Sequence, residues 1–555
     1  MGQRLPPRRG DLAVLDHRPA PGVPRLGSRG RAQGADREPR RALRLRRRRV
    51  GAGRRAHRPD GGRDRPARHR AAGRGQHGLA AQRLLSTAIT WFRRDLRLAD
   101  QPAWAAATRS ADRVLALFVV DPAIMAMAGR RRRDVLLRQL RALDADLQAL
   151  GGGLLVRTGD PVRVVEAVAR GSGATSVHAN GDVSAYAQRR DRRVQSALEP
   201  EIRLDLHWGC HLHRPGSVTS RTTGRTHLVF TPYHRAWATT SRQDWPTPVD
   251  VEVIDPERDG LPSEKIPTTS DSSDDGNDGA GADAAESRLL DWLDRVDAYE
   301  QTHDLPAERS GTSHLSTDLH FGTLSPRRVV DVVGTATAGR AAFVRQLAWR
   351  DWYASLFLER PDLVDTAMRT DLDGVAWSDD PEGVDAWIAG RTGFPIVDAG
   401  MRELSATGWM HNRVRMITAS FLVKDLLVDW RIGERHFRRE LVDADVAQNA
   451  GNWQWVAGTG PDAAPYFRVL NPVTQSRRFD PDGAYIARWV PELSALPAAD
   501  RHAPWEVGPI ELAAAGVVLG DADTSDAATY PAPIVDHAAA RERAIAAYGA
   551  ARTPN

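Results

Sequence analysis

The segment from Gly408 to Phe467 concentrates side chains that could take part in redox and proton chemistry. Its second half, DADVAQNAGNWQW, places carboxylates and amides next to two tryptophans. An ordinary core does not combine these residue types, because buried polar groups need partners. Indoles can be oxidised, whereas carboxylates and amides can accept hydrogen bonds. The segment is therefore a candidate functional site and not simple core filler.

One amphipathic helix is expected to carry the first half of this segment. Apolar residues recur there at spacings of three and four, and they are Met410, Val414, Ile417, Phe421 and Leu422. Asn412 and Met416 are four residues apart, so they share a helical face, with Arg415 beside them. This face is the part of the helix that could contact a ligand.

The second half combines acidic, amide and aromatic residues at short spacings. Asp443, Asp445 and Asn449 follow one another at helical spacing. Trp453 and Trp455 come next, among glycines. We expect these two tryptophans, which flank Gln454, to lie in an extended loop and to face opposite ways.

Three long motifs, GWMHNRVRM, DADVAQNAGNWQW and GTGPDAAPYFRVLNP, closely resemble the flavin-binding helical domain of the photolyase/cryptochrome family. Within that family they are most similar to the bacterial DNA photolyases. The resemblance extends from Ile89 to about Arg552 and includes the opening signature WFRRDLRL. It implies a lyase that repairs cyclobutane pyrimidine dimers in DNA by light-driven electron transfer from reduced, anionic FAD. A cryptochrome-type blue-light photoreceptor without repair activity is the alternative.

Short apolar runs alternate with helical stretches after Ile89, which predicts a doubly wound, Rossmann-like parallel sheet with helices on both faces. The expected strands are Ile89–Phe92, Val114–Val120, Leu154–Val156, Ser176–Ala179 and Ile202–Leu206. No G-x-G-x-x-G follows the first strand, so the dinucleotide fingerprint is missing. The expected organisation is a disordered Arg-rich extension (1–87), an α/β antenna-binding domain (88–240), a linker (241–286) and an all-α domain that binds FAD and DNA (287–555).

Charge is distributed unevenly along the chain. Residues 1–87 contain 24 Arg and 6 acidic residues, so the net charge of +6 hides a remainder of net −12. DNA binding by the remainder must therefore depend on a local groove. The first 87 residues are interpreted either as a basic arm with nonspecific DNA affinity or as an unstructured or misassigned start.

The single cysteine, Cys210, excludes an intramolecular disulfide and indicates a reducing compartment. No apolar run approaches the roughly 20 residues of a membrane span, and the basic start lacks the apolar core of a secretory signal. We expect a cytoplasmic monomer without a membrane. We also expect no metal site, because the spacings of the histidines match no common zinc pattern.

The run GTSHLS offers hydroxyl and N–H donors that suit a phosphate, although alone it could equally cap a helix. The resemblance assigns it to the diphosphate of FAD and places Asn449 at flavin N5. The implied cofactor-binding residues are Tyr299, Thr312, Ser313, His314, Leu315, Ser316, Arg350, Trp409, Arg415, Asp443, Ala444, Asp445 and Asn449. Trp377, Trp430 and Trp453 match the electron-transfer chain of the family.

The resemblance also implies a substrate face that binds damaged DNA, single- or double-stranded, with little sequence preference. Its residues are Gln346, Trp349, Arg350, Tyr353, Asn412, Arg413, Met416 and Trp455. Gln346 stands where bacterial photolyases commonly have Glu, and a neutral amide cannot ionise. Asn412 and Met416 stand where (6-4) photolyases carry histidines, which argues against the (6-4) substrate.

An antenna chromophore is a further expectation from the resemblance. Folate-binding members present an Asn-Glu pair where this chain has Tyr186 and Ala187. The run DVSAY looks more like members that bind 8-hydroxy-5-deazaflavin. We therefore rank 8-hydroxy-5-deazaflavin first, methenyltetrahydrofolate second and an empty site third.

Overall fold

The computed structural model describes residues 85–552 apart from 243, 246, 268–278, 464, 466 and 521–528. The expected extension at residues 1–87 lies outside the described residues up to position 84. A parallel sheet begins at Thr87, and its strand order is β3-β2-β1-β4-β5 with β6 beside β2. The strands are β1 (Thr87–Phe92), β2 (Arg113–Val120), β3 (Leu154–Thr158), β4 (Ala174–Asn180), β5 (Arg203–His207) and β6 (Glu252–Val253).

Helices cover both faces of this sheet. They are α1 (Pro102–Ser110), α2 (Pro122–Met127), α3 (Arg130–Ala149), α4 (Pro161–Gly171), α5 (Ala185–Leu198) and α6 (Phe230–Thr239). Phe92 of β1 belongs to the same core as residues of α1 and α3. Its neighbour Trp91 belongs to a second core, with residues of α4 and α5. Successive side chains of a strand point to opposite faces, so the predicted doubly wound α/β domain is confirmed.

The chain after residue 280 is mainly helical where the structure describes it. Its helices are α7 (Gly281–Trp292), α8 (Tyr299–Thr302), α9 (Ser316–Phe321), α10 (Pro326–Val333), α11 (Ala338–Glu359), α12 (Pro381–Ala389), α13 (Pro395–Thr407), α14 (Asn412–Ser420), α15 (Trp430–Glu440), α16 (Val446–Ala457), α17 (Pro472–Phe479), α18 (Ala484–Trp489), α19 (Pro509–Ala514) and α20 (His537–Ala551). The all-α expectation missed two three-residue strands, β7 (Val518–Gly520) and β8 (Thr529–Pro531), which pair with each other.

The single helix expected around residues 410–422 is divided in the structure. The His411 side chain accepts a hydrogen bond from the Arg413 N–H and so starts α14 after Met410. A π-helical turn (Phe421–Asp425) follows α14 directly. There the N–H of Leu426 bonds to the carbonyl of Phe421, five residues back. A change of hydrogen-bond spacing, which apolar periodicity does not report, ends the α-helix.

No described helix is both long enough and apolar enough to cross a membrane.

Candidate functional site

The GTSHLS run forms a loop that leads into α9. The N-cap residue of α9 is Leu315, and no side chain caps this helix. Ser313 Oγ instead accepts a hydrogen bond from the Leu315 N–H within the loop (3.3 Å). Thr312 Oγ1 is buried and has no hydrogen-bond partner among the described residues. The hydroxyls of this loop are therefore not used to cap α9, and one of them is free to bind a ligand.

Two aromatic groups stand beside this loop. The His314 ring lies 4.6 Å from the half-buried Trp409 ring, measured between centroids. Tyr299 begins α8 and packs edge-on against Phe343 at 5.3 Å.

The buried His411 accepts the Arg413 N–H at Nδ1, and its Nε2 has no partner among the described residues. Burial lowers the pKa of His411 to about 4, so the ring is neutral and its proton resides on Nε2.

Arg415 and Asp443, which the resemblance implied as cofactor-binding residues, form an ion pair with each other. The Nη2–Oδ2 distance is 2.9 Å and the Nη1–Oδ1 distance is 3.2 Å, which is a bidentate arrangement. The Asp443 side chain is almost completely buried, whereas a quarter of the Arg415 side chain is exposed. Arg415 Nε also donates to the Met410 carbonyl at 2.7 Å. The pair therefore holds a fixed guanidinium between α14 and the segment before α16.

Asn449 lies on α16, and Glu434 of α15 determines how its amide is oriented. Asn449 Nδ2 donates to the Glu434 carboxylate and to the Glu434 backbone carbonyl, both at 2.9 Å. The amide nitrogen is thus occupied, and the amide oxygen remains as the acceptor. Burial raises the pKa of Glu434, although Arg438 at 3.2 Å favours the charged form. Sequence reasoning missed Glu434, and only its i,i+4 spacing to Arg438 could have drawn attention to it.

The three tryptophans of the expected electron chain occupy different elements. Trp430 begins α15 and is buried, Trp453 on α16 is buried, and Trp377 is half-buried. The Trp453 ring contacts Phe437 edge-on at 5.0 Å. Trp387, which sequence reasoning missed, lies 6.2 Å from Trp453 between ring centroids. The structure therefore brings a further oxidisable ring to one member of the chain.

Trp453 and Trp455 both lie on α16, so the expectation of an extended loop was wrong. The Asp445 side chain caps this helix by accepting the Gln448 N–H at 3.0 Å, and Gly458 ends it at φ +84°. Two positions along an α-helix differ by about 200°, so the helix is what makes the two indoles face different directions. An extended segment would have pointed both of them to the same side. Glycines near the tryptophans suggested a loop, but they lie within the helix or at its end.

The expected substrate residues of α11 have unequal exposure. Gln346 is exposed and donates to the Ala342 carbonyl at 3.3 Å. Trp349 is half-buried and stacks on Phe230 with 3.6 Å between ring centroids. Arg350 is buried, and its guanidinium donates to the Cys210 carbonyl of the α/β domain and to the Leu319 carbonyl of α9.

The remaining expected substrate residues are also spread between surface and interior. Tyr353 is buried, and its hydroxyl has no partner among the described residues. Asn412 is exposed, whereas Met416 and Trp455 are half-buried. Arg413 pairs with Asp304, with an Nη2–Oδ2 distance of 2.5 Å. The pair is partly exposed and would have to rearrange before Arg413 could bind a phosphate.

The FAD implied by the sequence fits the residues present. Thr312 Oγ1 and His411 Nε2 are buried polar atoms without partners among the described residues, as expected of groups that bind a ligand. The Arg415 guanidinium offers positive charge, and the Asn449 oxygen offers an acceptor. These groups belong to the loop before α9 and to α14 and α16, where a long, polar and partly anionic molecule could span them.

A cavity of about 560 Å³ opens at the carboxyl ends of β1, β2 and β4. The guanidinium carbons of Arg93 and Arg190 lie 4.8 Å and 4.9 Å from the centroid of the Trp91 ring. Tyr186 donates a hydrogen bond to Asp121, and burial together with this carboxylate raises the pKa of Tyr186 to about 12. The cavity combines aromatic and charged walls, which suits a planar heterocycle with polar edges.

No cluster of three or more possible metal ligands occurs among the described residues.

The chain matches two family models, and it is similar to curated proteins and to solved structures. Residues 88–250 match the family described as DNA photolyase, and residues 343–550 match the FAD binding domain of DNA photolyase. A deoxyribodipyrimidine photo-lyase of Streptomyces griseus is 41% identical over 474 residues, which cover 83% of this chain and 98% of that protein.

Two crystal structures extend this similarity to the fold. A bacterial class III photolyase from Agrobacterium tumefaciens has a TM-score of 0.76 and 36% identity, and the match covers 86% of this chain and 99% of that one. An archaeal photolyase from Sulfolobus tokodaii with two FAD molecules has a TM-score of 0.70 and 30% identity, covering 84% of this chain and 100% of that one.

Proposed function

Because this chain belongs to the DNA photolyase family, we propose that it is a deoxyribodipyrimidine photo-lyase, an enzyme that repairs cyclobutane pyrimidine dimers in DNA with light. The observation that carries this proposal is the Asn449 amide, whose nitrogen is held by Glu434 so that its oxygen is left as an acceptor, together with the bidentate Arg415–Asp443 ion pair. This arrangement suits a redox cofactor whose ring changes its charge and protonation. The similarity over nearly the whole length of a curated photo-lyase supports the same assignment.

Splitting the dimer requires one electron to be placed on it and then recovered, and bound FAD, reduced and excited by light, supplies that electron. The chain's own residues prepare the site for this chemistry. Arg415 provides a positive charge that stabilises an anionic ring, and Asp443 holds it in place. Asn449 would accept a hydrogen bond from the ring edge. Asp445 and Ala444 would lie beside the ring, and the GTSHLS loop would hold the diphosphate.

Trp377, Trp430 and Trp453 carry an electron inward and so keep the cofactor reduced. Trp430 and Trp453 are buried, and the half-buried Trp377 is the member nearest to solvent. Burial protects the inner indoles from reaction with water-soluble oxidants, while the exposed edge of Trp377 can be reduced from solution. This order of exposure supports a relay that runs from Trp377 to Trp453.

The substrate is a dimer turned out of the DNA stack. Unstacking costs a few kcal/mol, least at a damaged step, and stacking on an indole returns about 1–3 kcal/mol per base. Trp349 has one face against Phe230, which leaves the other face for a base. Trp455, Asn412 and Met416 complete the pocket, with Gln346 at the pyrimidine edge and Arg413 at a phosphate. Arg350 and Tyr353 support the pocket from below, because both are buried.

The cavity at the ends of β1, β2 and β4 binds an antenna chromophore, with 8-hydroxy-5-deazaflavin first and methenyltetrahydrofolate second. Its Tyr186 ring provides a planar surface, and Asn180 Oδ1 and Arg93 Nε are buried there without partners among the described residues. A heterocycle with both donors and acceptors along one edge would satisfy these atoms. The second FAD of the archaeal relative supports the idea of a further chromophore.

The enzyme acts as a cytoplasmic monomer on single- or double-stranded DNA with little sequence preference. The lone Cys210 supports a reducing compartment. Recognition through a flipped dimer and phosphate contacts accounts for the weak dependence on sequence.

The test is repair of a dimer-containing oligothymidine by purified protein with reduced FAD, in light and in darkness. We expect intact thymines to be recovered only in light. A protein that binds FAD and undergoes photoreduction but leaves the dimer intact would refute the lyase assignment and indicate a blue-light photoreceptor. A (6-4) photoproduct in a parallel sample should remain unrepaired.

A further inference from the structure

Arg94 joins the α/β domain to the helix that carries Asn449. It follows β1 in the run WFRRD, and its guanidinium forms an ion pair with Asp445. Its Nη1 lies 3.2 Å from Asp182 Oδ2, and its Nε donates to the His320 carbonyl at 3.3 Å. The side chains of Arg94, Asp182 and Asp445 are 29%, 21% and 13% exposed, so solvent screens this cluster only in part. One guanidinium therefore fixes groups from both parts of the chain.

Asp445 has two tasks that this contact can influence. One carboxylate oxygen accepts the Gln448 N–H at 3.0 Å and caps α16, and the other pairs with Arg94. Burial raises the pKa of Asp445, but the charges of Arg94 and Arg350 outweigh this effect, so the pKa lies below its usual range. The carboxylate is thus ionised at any ordinary pH, as a cap and an ion-pair partner must be.

The ordinary interpretation is that Arg94 forms an ion pair that contributes little to stability. Two features indicate a role beyond stability. The first is that the partner of Arg94 is not an isolated surface carboxylate: it is Asp445, the N-cap of the helix whose next turn carries Asn449. In addition, the second partner, Asp182, accepts the Ser184 N–H at 2.8 Å and so is itself held by the backbone. Arg94 is therefore anchored on one side and acts on a flavin-site residue on the other.

We propose that Arg94 is a positioning residue for the flavin site, which holds Asp445 and the first turn of α16 in the geometry that binds FAD. This proposal rests on the proposed function, in which Asp445 and Asn449 contact FAD. Loss of Arg94 leaves the Asp445 carboxylate free to rotate, so part of the binding free energy of FAD is spent on restoring its position. FAD should then bind more weakly, and the electrostatic field at its ring should change.

The test compares wild type with Arg94→Gln and Arg94→Lys by FAD titration of the apoprotein in darkness, without DNA. We expect Arg94→Gln to raise the Kd for FAD about tenfold, the effect of losing one charge-assisted hydrogen bond, and to shift the midpoint potential of bound FAD. Arg94→Lys keeps the charge but loses the planar guanidinium that binds two carboxylates at once. Its Kd and midpoint potential should therefore lie between those of Arg94→Gln and wild type. Arg113→Gln is the matched control, since Arg113 also bridges two carboxylates of the α/β domain, Glu252 and Asp259.

An unchanged Kd and potential in Arg94→Gln, with a folded protein, would overturn the proposal. An equal loss of affinity in Arg113→Gln would also overturn it, because the effect would then belong to general destabilisation. If Arg94→Gln fails to fold, Arg94→Lys becomes the test. A wild-type affinity for FAD and a wild-type midpoint potential in Arg94→Lys would then overturn the proposal. Repair by the wild type is measured separately, so failure of the lyase assignment and failure of this proposal are distinguishable.

Discussion

Glu434 is the residue on which the orientation of Asn449 depends, and its removal is a sharp test of the site. In Glu434→Ala the amide loses its carboxylate acceptor and keeps only the backbone carbonyl of residue 434, so its nitrogen can turn more easily towards the cofactor. We expect the yield of light-driven repair to fall about tenfold, which corresponds to ~1.4 kcal/mol. The visible absorption band of bound FAD should shift as well.

Glu434→Gln is the conservative variant for this prediction. Its side-chain oxygen can still accept from Asn449, so repair should stay near the wild-type level. Comparable losses in both variants would show that the charge of Glu434, and not the orientation of Asn449, is what the site requires.

Gln346 is the residue at which this chain departs from the common bacterial pattern. In the structure its amide is exposed and donates to the Ala342 carbonyl of its own helix at 3.3 Å, so one of its donors and its oxygen are open to substrate among the described residues. A carboxylate or carboxylic acid offers the pyrimidine a stronger hydrogen bond than an amide does. We therefore expect Gln346→Glu to raise the repair yield about two- to tenfold, measured on the same oligothymidine. A lower yield in Gln346→Glu would mean that the pocket is adapted to the amide.

At the level of elements, the π-helical turn between α14 and α15 buries an ionisable group. Lys424 lies in this turn, donates to the Ala457 carbonyl at 3.2 Å, and stands 3.5 Å above the Tyr548 ring. Burial lowers the pKa of Lys424 to about 7. The unfolded chain therefore binds more protons than the folded one between pH 7 and the ordinary lysine pKa of about 10.4. Stability should rise with pH across that window.

Lys424→Met tests this assignment. The thioether keeps most of the volume and removes the buried charge, so the free energy of unfolding at pH 7 should increase by roughly 1–3 kcal/mol. Urea unfolding at several pH values measures the free energy of unfolding. It should be higher in Lys424→Met at pH 7 and should no longer rise with pH above 7. If the free energy of unfolding of Lys424→Met still rose steeply with pH, another group would be responsible for the rise. Lys265, which is exposed and lies on the connection between the domains, is the matched control position.

The elements also show where sequence patterns stop being informative. Five of the six sheet strands and the helices α3, α4 and α5 were predicted, because apolar periodicity reports burial directly. The short strand β6 lies in the expected linker and was missed. The end of the α-helix after Ser420 was not predicted, because a hydrogen bond from an N–H to the carbonyl five residues back leaves the apolar pattern almost unchanged. Glycines around Trp453 suggested a loop, although tertiary packing keeps them helical: a Cβ at Gly451 would lie 2.3 Å from the Tyr353 ring.

For the whole molecule, contacts between distant segments were the least predictable. The Arg415–Asp443 pair spans 28 residues, and both members lie in motifs that the resemblance assigns to the cofactor site. The Arg94–Asp445 pair spans 351 residues, and no local spacing relates its members. The cavity at the strand ends likewise depends on how the sheet meets the helical part. Residue types at the site could thus be read from motifs, whereas the groups that orient them required the fold.

Charge distribution over the whole molecule makes a prediction for DNA binding. The chain after residue 87 carries a net charge of −12, so affinity for DNA must come from a few local phosphate contacts. For dimer-containing oligothymidine, each neutralised phosphate should contribute about −0.7 to the slope of log K against log salt concentration. Arg413→Ala should weaken binding at low salt and reduce the magnitude of the slope by about 0.7. The measurement is fluorescence anisotropy across a salt series in darkness.

Arg113→Ala is the control for this series, because Arg113 lies on β2 of the α/β domain and pairs with Asp259. It should leave both affinity and slope unchanged. Arg413 must first release Asp304, so the variant Asp304→Ala, which frees the guanidinium, should bind more tightly at low salt. If Arg413→Ala kept the wild-type slope while Asp304→Ala bound no better, the phosphate contact would lie elsewhere. The opposing changes in these two variants would locate one anchor of the DNA beside the α14 face that carries Asn412 and Met416.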